Sequence, residues 1–291
     1  MEVGELQISS FEQQFKKREV LHFPEGGVTV VDVAPRVLTD KTPVLLAPGW
    51  SENYNSYRKT LAVGFKKGKR VLTVGYPVRG EKILTDGEYP KEELRKAKLL
   101  LGVLEKKGIE KVDVIAHSEG AINSLIAALL KPEQFRNIVL DKPAGLIGKD
   151  SKIALTGRFI KLLLQEAIAR PISLTDPTSS IRAATRTARY IVENFHRVLR
   201  EMDALSSGDI TEMMTKLSEQ GIKFSIISGV DDPLFPVNRQ IRNMRQSNRV
   251  LPIKGYYSVI GGHNELSINA DQDAALAFNA LDDLRNLKTP P

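Results

Sequence analysis

A serine hydroxyl becomes an effective nucleophile at neutral pH when a base takes its proton and a carboxylate orients that base. This chain of 291 residues offers those three groups in three separate segments. Ile115-Ala116-His117-Ser118-Glu119-Gly120-Ala121 follows the pattern Gly-x-Ser-x-Gly, with Ala116 in the first glycine position. A strand-like apolar run precedes it and a helical one follows. A strand turning directly into a helix strains its central residue and tolerates only small neighbours two positions away. The strain lifts the serine oxygen clear of the sheet, and the helix N-terminus aims backbone N–H groups at negative charge. Ser228-Gly229-Val230-Asp231-Asp232-Pro233-Leu234-Phe235-Pro236 sets a carboxylate after another strand-like run, and Gly261-Gly262-His263-Asn264 sets an imidazole after the next. Singly, Asp232 reads as a turn residue before proline and His263 as a loop residue beside glycines. Jointly, in the order Ser, Asp, His and each after a strand, they point to nucleophilic catalysis. Asp231 and Asp141 remain as alternative carboxylates.

The elements that must position these groups alternate along the chain. Val28–Val33, Pro43–Ala47, Val71–Gly75, Val112–Ala116, Ile138–Asp141, Phe224–Ser228 and Tyr256–Ile260 read as short buried strands. Tyr57–Phe65, Lys91–Lys107, Ala121–Leu130 and Gln272–Leu287 read as helices. In Lys91–Lys107, Leu94, Ala97, Leu101 and Leu104 recur at helical spacing, and Gly108 stops the run. This rhythm calls for an α/β fold, a mostly parallel sheet with helices on both faces. The carboxyl ends of its strands then share one crevice. The rhythm breaks from about 148 to 205, where the pattern is helical without a strand. In Ile181–Met202, Arg182, Arg186, Arg189, Arg197 and Arg200 fall on one face and Ile181, Ala184, Ala188, Ile191, Phe195, Val198 and Met202 on the other. The expected division is therefore a core of residues 1–147 and 206–291 with an inserted helical cap at 148–205. Phe159, Leu162, Leu163, Ile191, Phe195 and Met202 read as cap core, with the lining of a pocket as the alternative.

Composition narrows the chemistry further. The absence of cysteine excludes disulfides, thiolate catalysis, zinc ribbons and iron–sulfur clusters. The four histidines, His22, His117, His196 and His263, form no HExxH pair, so no metal is expected. His22 reads as a strand residue and His196 as solvated. Lys and Arg total 42 against 35 Asp and Glu, a net charge of +7. That excess is compatible with nucleic acid, an anionic membrane or an acidic substrate. Residues 145–208 carry ten basic and six acidic side chains, so much of it reads as a solvated cap surface, and no nucleic-acid partner is expected. Met1–Gln14 carries Glu2, Glu5 and Glu12 and no apolar core, unlike a signal peptide. No apolar run approaches the ~20 residues of a spanning helix. The default expectation is a cytoplasmic protein, and a homo-oligomer is compatible with the sequence.

The segments around Ser118, Asp232 and His263 resemble the α/β-hydrolase superfamily, specifically its capped, carboxylesterase-like serine hydrolases. The resemblance covers nearly the whole chain outside the N-terminal arm and is weakest in the cap. It implies Ser118 as nucleophile, His263 as general base and then acid, and Asp232 as the carboxylate holding His263. The run Asp-Pro-Leu-Phe-Pro is similar to the family's acid loop, which favours Asp232 over Asp231. The continuation of Asp141, Lys-Pro-Ala-Gly, reads as the way into a cap. Ala47-Pro48-Gly49-Trp50-Ser51-Glu52-Asn53 is similar to the family's His-Gly-x loop. The resemblance then implies an oxyanion hole from the backbone N–H groups of Trp50 and Glu119. Three departures stand out: Ala116 for Gly, Pro48 for a His that often braces this loop, and Glu119 where an uncharged residue is usual. Glu119 is expected to face solvent or to pair with a cap Lys or Arg, and His117 to be structural. Tyr76-Pro77-Val78-Arg79-Gly80 is only loosely similar to the family's Asp-x-x-Gly-x-Gly loop. The implied activity is hydrolysis of a small to medium, mostly apolar carboxylic ester through an acyl-enzyme, without a cofactor. An amidase or peptidase, a carbon–carbon bond hydrolase, an acyltransferase, or a non-hydrolytic small-molecule receptor are the alternatives on the same residues.

Overall fold

The computed structural model describes residues 3–77, 89–169, 195–246, 252–268 and 270–287. The described strands form one eight-stranded sheet. They are β1 (Glu19–Phe23), β2 (Gly26–Val33), β3 (Val44–Ala47), β4 (Val71–Gly75), β5 (Val112–His117), β6 (Phe135–Asp141), β7 (Lys223–Gly229) and β8 (Ile253–Val259). Their order is β1-β2-β4-β3-β5-β6-β7-β8. β2 runs antiparallel to both of its neighbours, and every other pair is parallel.

The near-continuous apolar strands follow from burial on both faces. Successive side chains of a strand point to opposite faces. Leu45 and Ala47 accordingly join one core layer, and Val44 and Leu46 join the other. The first layer is completed by α3 (Lys91–Lys106), α4 (Gly120–Leu130) and α7 (Thr211–Glu219). The second is completed by α1 (Val3–Lys16), α2 (Arg58–Lys66) and the C-terminal α10 (Ala270–Asn286). α3 starts with Glu92 and Glu93 in its first turn, carries Lys106 in its last, and ends before Gly108 at φ 61°. α4 is buried over almost its whole length, including its two polar residues, Asn123 and Ser124.

Between β6 and β7 the described elements are all helical. They are α5 (Lys152–Ala169), α6 (Phe195–Ser207) and α7. α5 packs on α6, and α6 packs on α3. Arg182, Arg186, Arg189 and Ile191, expected on the amphipathic cap helix, lie outside the described residues. Arg197 and Arg200 fall within α6. The remaining helices are α8 (Val237–Gln246), after the Asp232 loop, and the short α9 (Glu265–Ile268), after His263. No helix among the described residues is long and apolar enough to cross a membrane.

Three elements extend or shift the reading from sequence. His22 lies in β1, and that strand pairs with β2 at the sheet edge. The N-terminal α1 docks through Phe11 and Phe15, one helical turn apart and both buried. β8 begins at Ile253, ahead of the expected Tyr256.

Candidate active site

β5 ends at His117 and α4 begins at Gly120, leaving two residues for the turn. Ser118 takes φ 53°, in the left-handed region that a non-glycine residue adopts only under strain. The turn is held from both sides. Ser118 N donates to Asp141 O at 3.0 Å, and Ser118 O accepts from Ala121 N and Ala144 N at 3.1 Å. A Cβ at Gly120 would lie 2.4 Å from Ala47 O, so this position admits no side chain. Gly120→Ala is therefore expected to destabilise the protein by about 1–3 kcal/mol, as overpacking does, and to lower its urea midpoint. A variant as stable as the wild type would show that β3 can yield at this contact.

The three expected residues meet at the carboxyl edge of the sheet. His263 Nε2 lies 2.9 Å from Ser118 Oγ, and His263 Nδ1 lies 2.8 Å from Asp232 Oδ2. All three are buried. The second oxygen of Asp232 accepts from Leu234 N at 2.8 Å and Phe235 N at 3.2 Å. Burial alone would raise the pKa of this carboxyl. The charge and hydrogen bond of His263 and the two backbone donors outweigh burial and hold it below its usual range. Phe235 packs edge-on against the His263 ring at 5.3 Å. Gln240 of α8 braces the acid loop, donating to Phe235 O at 2.7 Å.

The alternative carboxylates lie elsewhere. Asp231 is exposed, and its N–H is spent on Gly261 O at 3.0 Å. Asp141 is fully buried beside Lys142, whose Nζ donates to Asp141 Oδ1 at 2.9 Å and also to Asp273 of α10. Lys142 takes φ 46°, which turns the chain out of β6 with its ammonium still inside. Burial would discharge this ammonium, but the charges of Asp141 and Asp273 keep its pKa above the ordinary value.

A second buried group lies behind Ser118, and the sequence reading did not anticipate it. His117 Nδ1 lies 2.9 Å from Glu52 Oε2, and His117 Nε2 lies 3.0 Å from His263 O. Tyr57 donates its hydroxyl to the same Glu52 oxygen, which also accepts from Gly49 N at 3.0 Å. Glu52 thus braces the loop after β3. That loop passes directly against the turn: a Cβ at Gly49 would lie 3.1 Å from Ser118 Cβ. Burial works against a charge on His117, but Glu52 and then Asp141 overcome it and raise its pKa to about 9. As an imidazolium, His117 donates from both ring nitrogens, one to Glu52 and one to the backbone of His263.

The raised pKa of His117 implies a pH dependence of stability. The folded value of about 9 lies above the ordinary 6.5, so its contribution is complete below 6.5 and lost as pH rises through 9. The shift corresponds to about 3 kcal/mol. Urea midpoints of the wild type should fall between pH 6 and pH 9.5, and His117→Gln should lose most of that difference. An undiminished pH dependence in His117→Gln would assign it to another group.

The two residues flanking the site on the other side carry paired side chains. Glu119 is buried, and its Oε1 lies 2.5 Å from Lys96 Nζ of α3. Its partner therefore comes from α3 in the core, where solvent or a cap cation was expected, and Lys96 also meets Glu201 of α6. Trp50 donates its indole N–H to Glu201 Oε2 of α6 at 2.6 Å and meets Phe159 of α5 edge-on at 5.3 Å. Leu162 is buried and Met202 packs against the core from α6. Glu52, Tyr57, Lys96 and Glu201 were not singled out in the sequence. Glu52 stands in a quoted loop, but a glutamate beside Ser and Asn reads as a turn residue.

Comparisons with known proteins agree with this architecture. A sequence search of curated proteins returns no match. Solved structures match over almost the whole chain. A hydrolase from Pseudomonas aeruginosa has a TM-score of 0.63 at 15% identity, covering 93% of this chain and 99% of that one. An α/β hydrolase enzyme from a Medee basin deep-sea metagenome library has a TM-score of 0.65 at 15% identity, covering 94% and 99%. A carboxylesterase structure from the ammonia-oxidizing thaumarchaeon Nitrososphaera gargenis has a TM-score of 0.62 at 17% identity, covering 92% and 99%. At these identities the likeness is one of fold. The family profile described as the alpha/beta hydrolase fold matches residues 42–192. With that match over half of its length, and with the strand order and the turn at Ser118 described above, the chain belongs to the α/β-hydrolase fold family.

Proposed function

We propose that the protein is a serine hydrolase that cleaves carboxylic esters through an acyl-enzyme. The observation that carries this reading is the unbroken chain from Ser118 Oγ to His263 Nε2 and from His263 Nδ1 to Asp232 Oδ2, at 2.9 and 2.8 Å. Ser118 Oγ attacks the ester carbonyl carbon while His263 takes the hydroxyl proton. The carbonyl π electrons move to oxygen, and the resulting oxyanion is met by the backbone N–H groups of Trp50 and Glu119. Collapse breaks the bond to the alcohol oxygen, which leaves with the proton from His263. Water then attacks the acyl carbon, giving a proton to His263, and collapse breaks the bond to Ser118 Oγ, which takes that proton back as the carboxylic acid leaves. Asp232 stays ionised and holds His263 in the tautomer with its proton on Nδ1. Ester over amide is supported by the carboxylesterase among the structural neighbours. A small to medium, mostly apolar substrate is supported by α5 and α6, which we assign to a helical cap over residues 148–205 whose Phe159 reaches Trp50.

A series of p-nitrophenyl esters from two to twelve acyl carbons, run beside matched anilides and diketones, tests the assignment. Turnover of esters, fastest at short and medium chains, is the expected result. Activity confined to anilides or diketones would reject ester hydrolysis and keep the nucleophile.

A further inference from the structure

We propose that Lys96 and Glu201 are positioning residues for the oxyanion hole, joining the side chains of Trp50 and Glu119 through one buried ion-pair node. The inference rests on the hydrolase reading above. It begins from a geometric requirement of that reading. The two assigned donors belong to different elements, Trp50 to the loop after β3 and Glu119 to the start of α4. Donors that meet a developing charge must hold their separation closely, since a displacement of about 1 Å can cost 10²-fold in rate.

The side chains supply such a link. The Trp50 indole N–H donates to Glu201 Oε2 at 2.6 Å. The other Glu201 oxygen lies 3.0 Å from Lys96 Nζ, and Lys96 Nζ lies 2.5 Å from Glu119 Oε1. A path of three polar contacts therefore runs from one donor residue to the other, through α6 and α3. Lys96, Glu119 and Glu201 are 2%, 1% and 0% exposed, so water does not compete for these bonds.

Holding α6 to α3 would not require this arrangement. The cost of removing two charges from water largely offsets their attraction, and a well-packed apolar pair holds helices at least as well. What the ions add is direction: one end of the path holds Glu119, the residue after the nucleophile, and the other holds Trp50, the residue after Gly49, which packs against Ser118. The charge of Lys96 has a second consequence. The Glu119 carboxylate is one residue from Ser118, and without compensation it would oppose the negative charge that grows on the substrate oxygen. Lys96 supplies that compensation to Glu119 and Glu201 together. Glu93 Oε1 lies 4.0 Å from the same Lys96 Nζ, and burial and then the charge of Glu119 push its carboxyl well above the usual range. Trp50 is thus held by Glu201 of α6 and by Phe159 of α5, and a shift of either helix reaches an oxyanion donor.

The test measures kcat and KM on a short-chain p-nitrophenyl ester for wild type, Lys96→Met, Trp50→Phe and the double variant Lys96→Met/Glu119→Gln. Lys96→Met and Trp50→Phe are expected to lower kcat by about 10–100-fold with KM within about threefold of wild type. Glu119→Gln should restore most of what Lys96→Met loses, because it removes the charge that Lys96 compensated. A purely structural ion pair predicts instead that the double variant regains stability, because no unpaired carboxylate is left at 119, while kcat of every folded variant stays at that of wild type, so urea midpoints measured beside kcat separate the two. Should Lys96→Met fail to fold, Trp50→Phe decides alone, because it removes one N–H and keeps a ring against Phe159. Folded Trp50→Phe with kcat within about twofold of wild type, or a Lys96→Met loss that Glu119→Gln leaves unchanged, overturns the proposal. A wild type that neither reacts with a fluorophosphonate nor turns over any ester overturns the hydrolase reading and this inference with it. A labelled, active wild type with undiminished variants overturns this inference alone.

Discussion

Replacing Ser118 with alanine is expected to abolish fluorophosphonate labelling and to lower ester turnover by about 10⁴–10⁶-fold. The size of the effect follows from the geometry. Ser118 Oγ is the atom 2.9 Å from His263 Nε2, and no other hydroxyl is hydrogen-bonded to that nitrogen among the described residues. Without it, water must attack the ester unaided by an acyl-enzyme, and only the oxyanion donors remain. The fold should survive. Alanine keeps the Cβ of serine, suffers no more than serine does at φ 53°, and leaves the backbone bonds to Asp141, Ala121 and Ala144 in place. The melting temperature should move by no more than about 2–4 °C, the equivalent of roughly 1 kcal/mol in a chain of this size. His263→Ala should lose a similar factor. The double variant should be no worse than either single one, because the two groups act as a unit. Labelling of folded Ser118→Ala, or losses that multiply in the double variant, would sink the nucleophile assignment.

The parts of this site that were readable from sequence are those fixed by the sheet. Strands such as Val44–Ala47 and Val71–Gly75 are buried on both faces, so their residues are almost all apolar and the alternation with helices stands out. Ser118, Asp232 and His263 were legible as candidates because each follows a strand, and parallel strands end at one edge. β5 and β7 are buried on both faces, whereas β8 before His263 is only partly covered. The supporting groups leave no such mark. Glu52 meets His117, and Trp50 meets Glu201, only once distant loops and helices have docked. Nothing in the sequence around Glu52 or Glu201 distinguishes them from surface residues. α3 shows the same limit within one helix. Its apolar spacing is plain, but Glu92, Glu93, Arg95 and Lys96 read as a solvated first turn. All four are buried, Lys96 against Glu201 of α6 and Arg95 against Glu92 and the backbone of Glu25. At the N-terminus the signal was present and outweighed. Phe11 and Phe15, four residues apart, are what docks α1, while the three glutamates around them dominated the reading.

The two buried aspartates at neighbouring strand ends give a prediction in which one substitution acts on rate and the other on stability. Asp232→Asn should lower kcat by about 10⁴-fold, because asparagine favours the wrong imidazole tautomer while keeping the shape of the loop. The backbone donors Leu234 and Phe235 can still bond the amide oxygen, so its unfolding midpoint should stay near that of the wild type. Asp141→Asn should do the reverse. Its carboxylate contacts Lys142, and lies 3.9 Å from His117 Nε2, on the side of His117 away from Glu52. Removing it leaves a buried ammonium with Asp273 as its remaining carboxylate partner among the described residues. Breaking a buried ion pair costs about 3–5 kcal/mol. The retained Asp273 bond should keep the loss at the lower end, with kcat close to wild type wherever the variant is folded. The two effects are separable by measuring single-turnover rates and urea midpoints on the same preparations. A catalytic collapse in Asp141→Asn with an active Asp232→Asn would transfer the acid role to the end of β6. It would also mean that the 2.8 Å bond from His263 to Asp232 is not the one used in turnover.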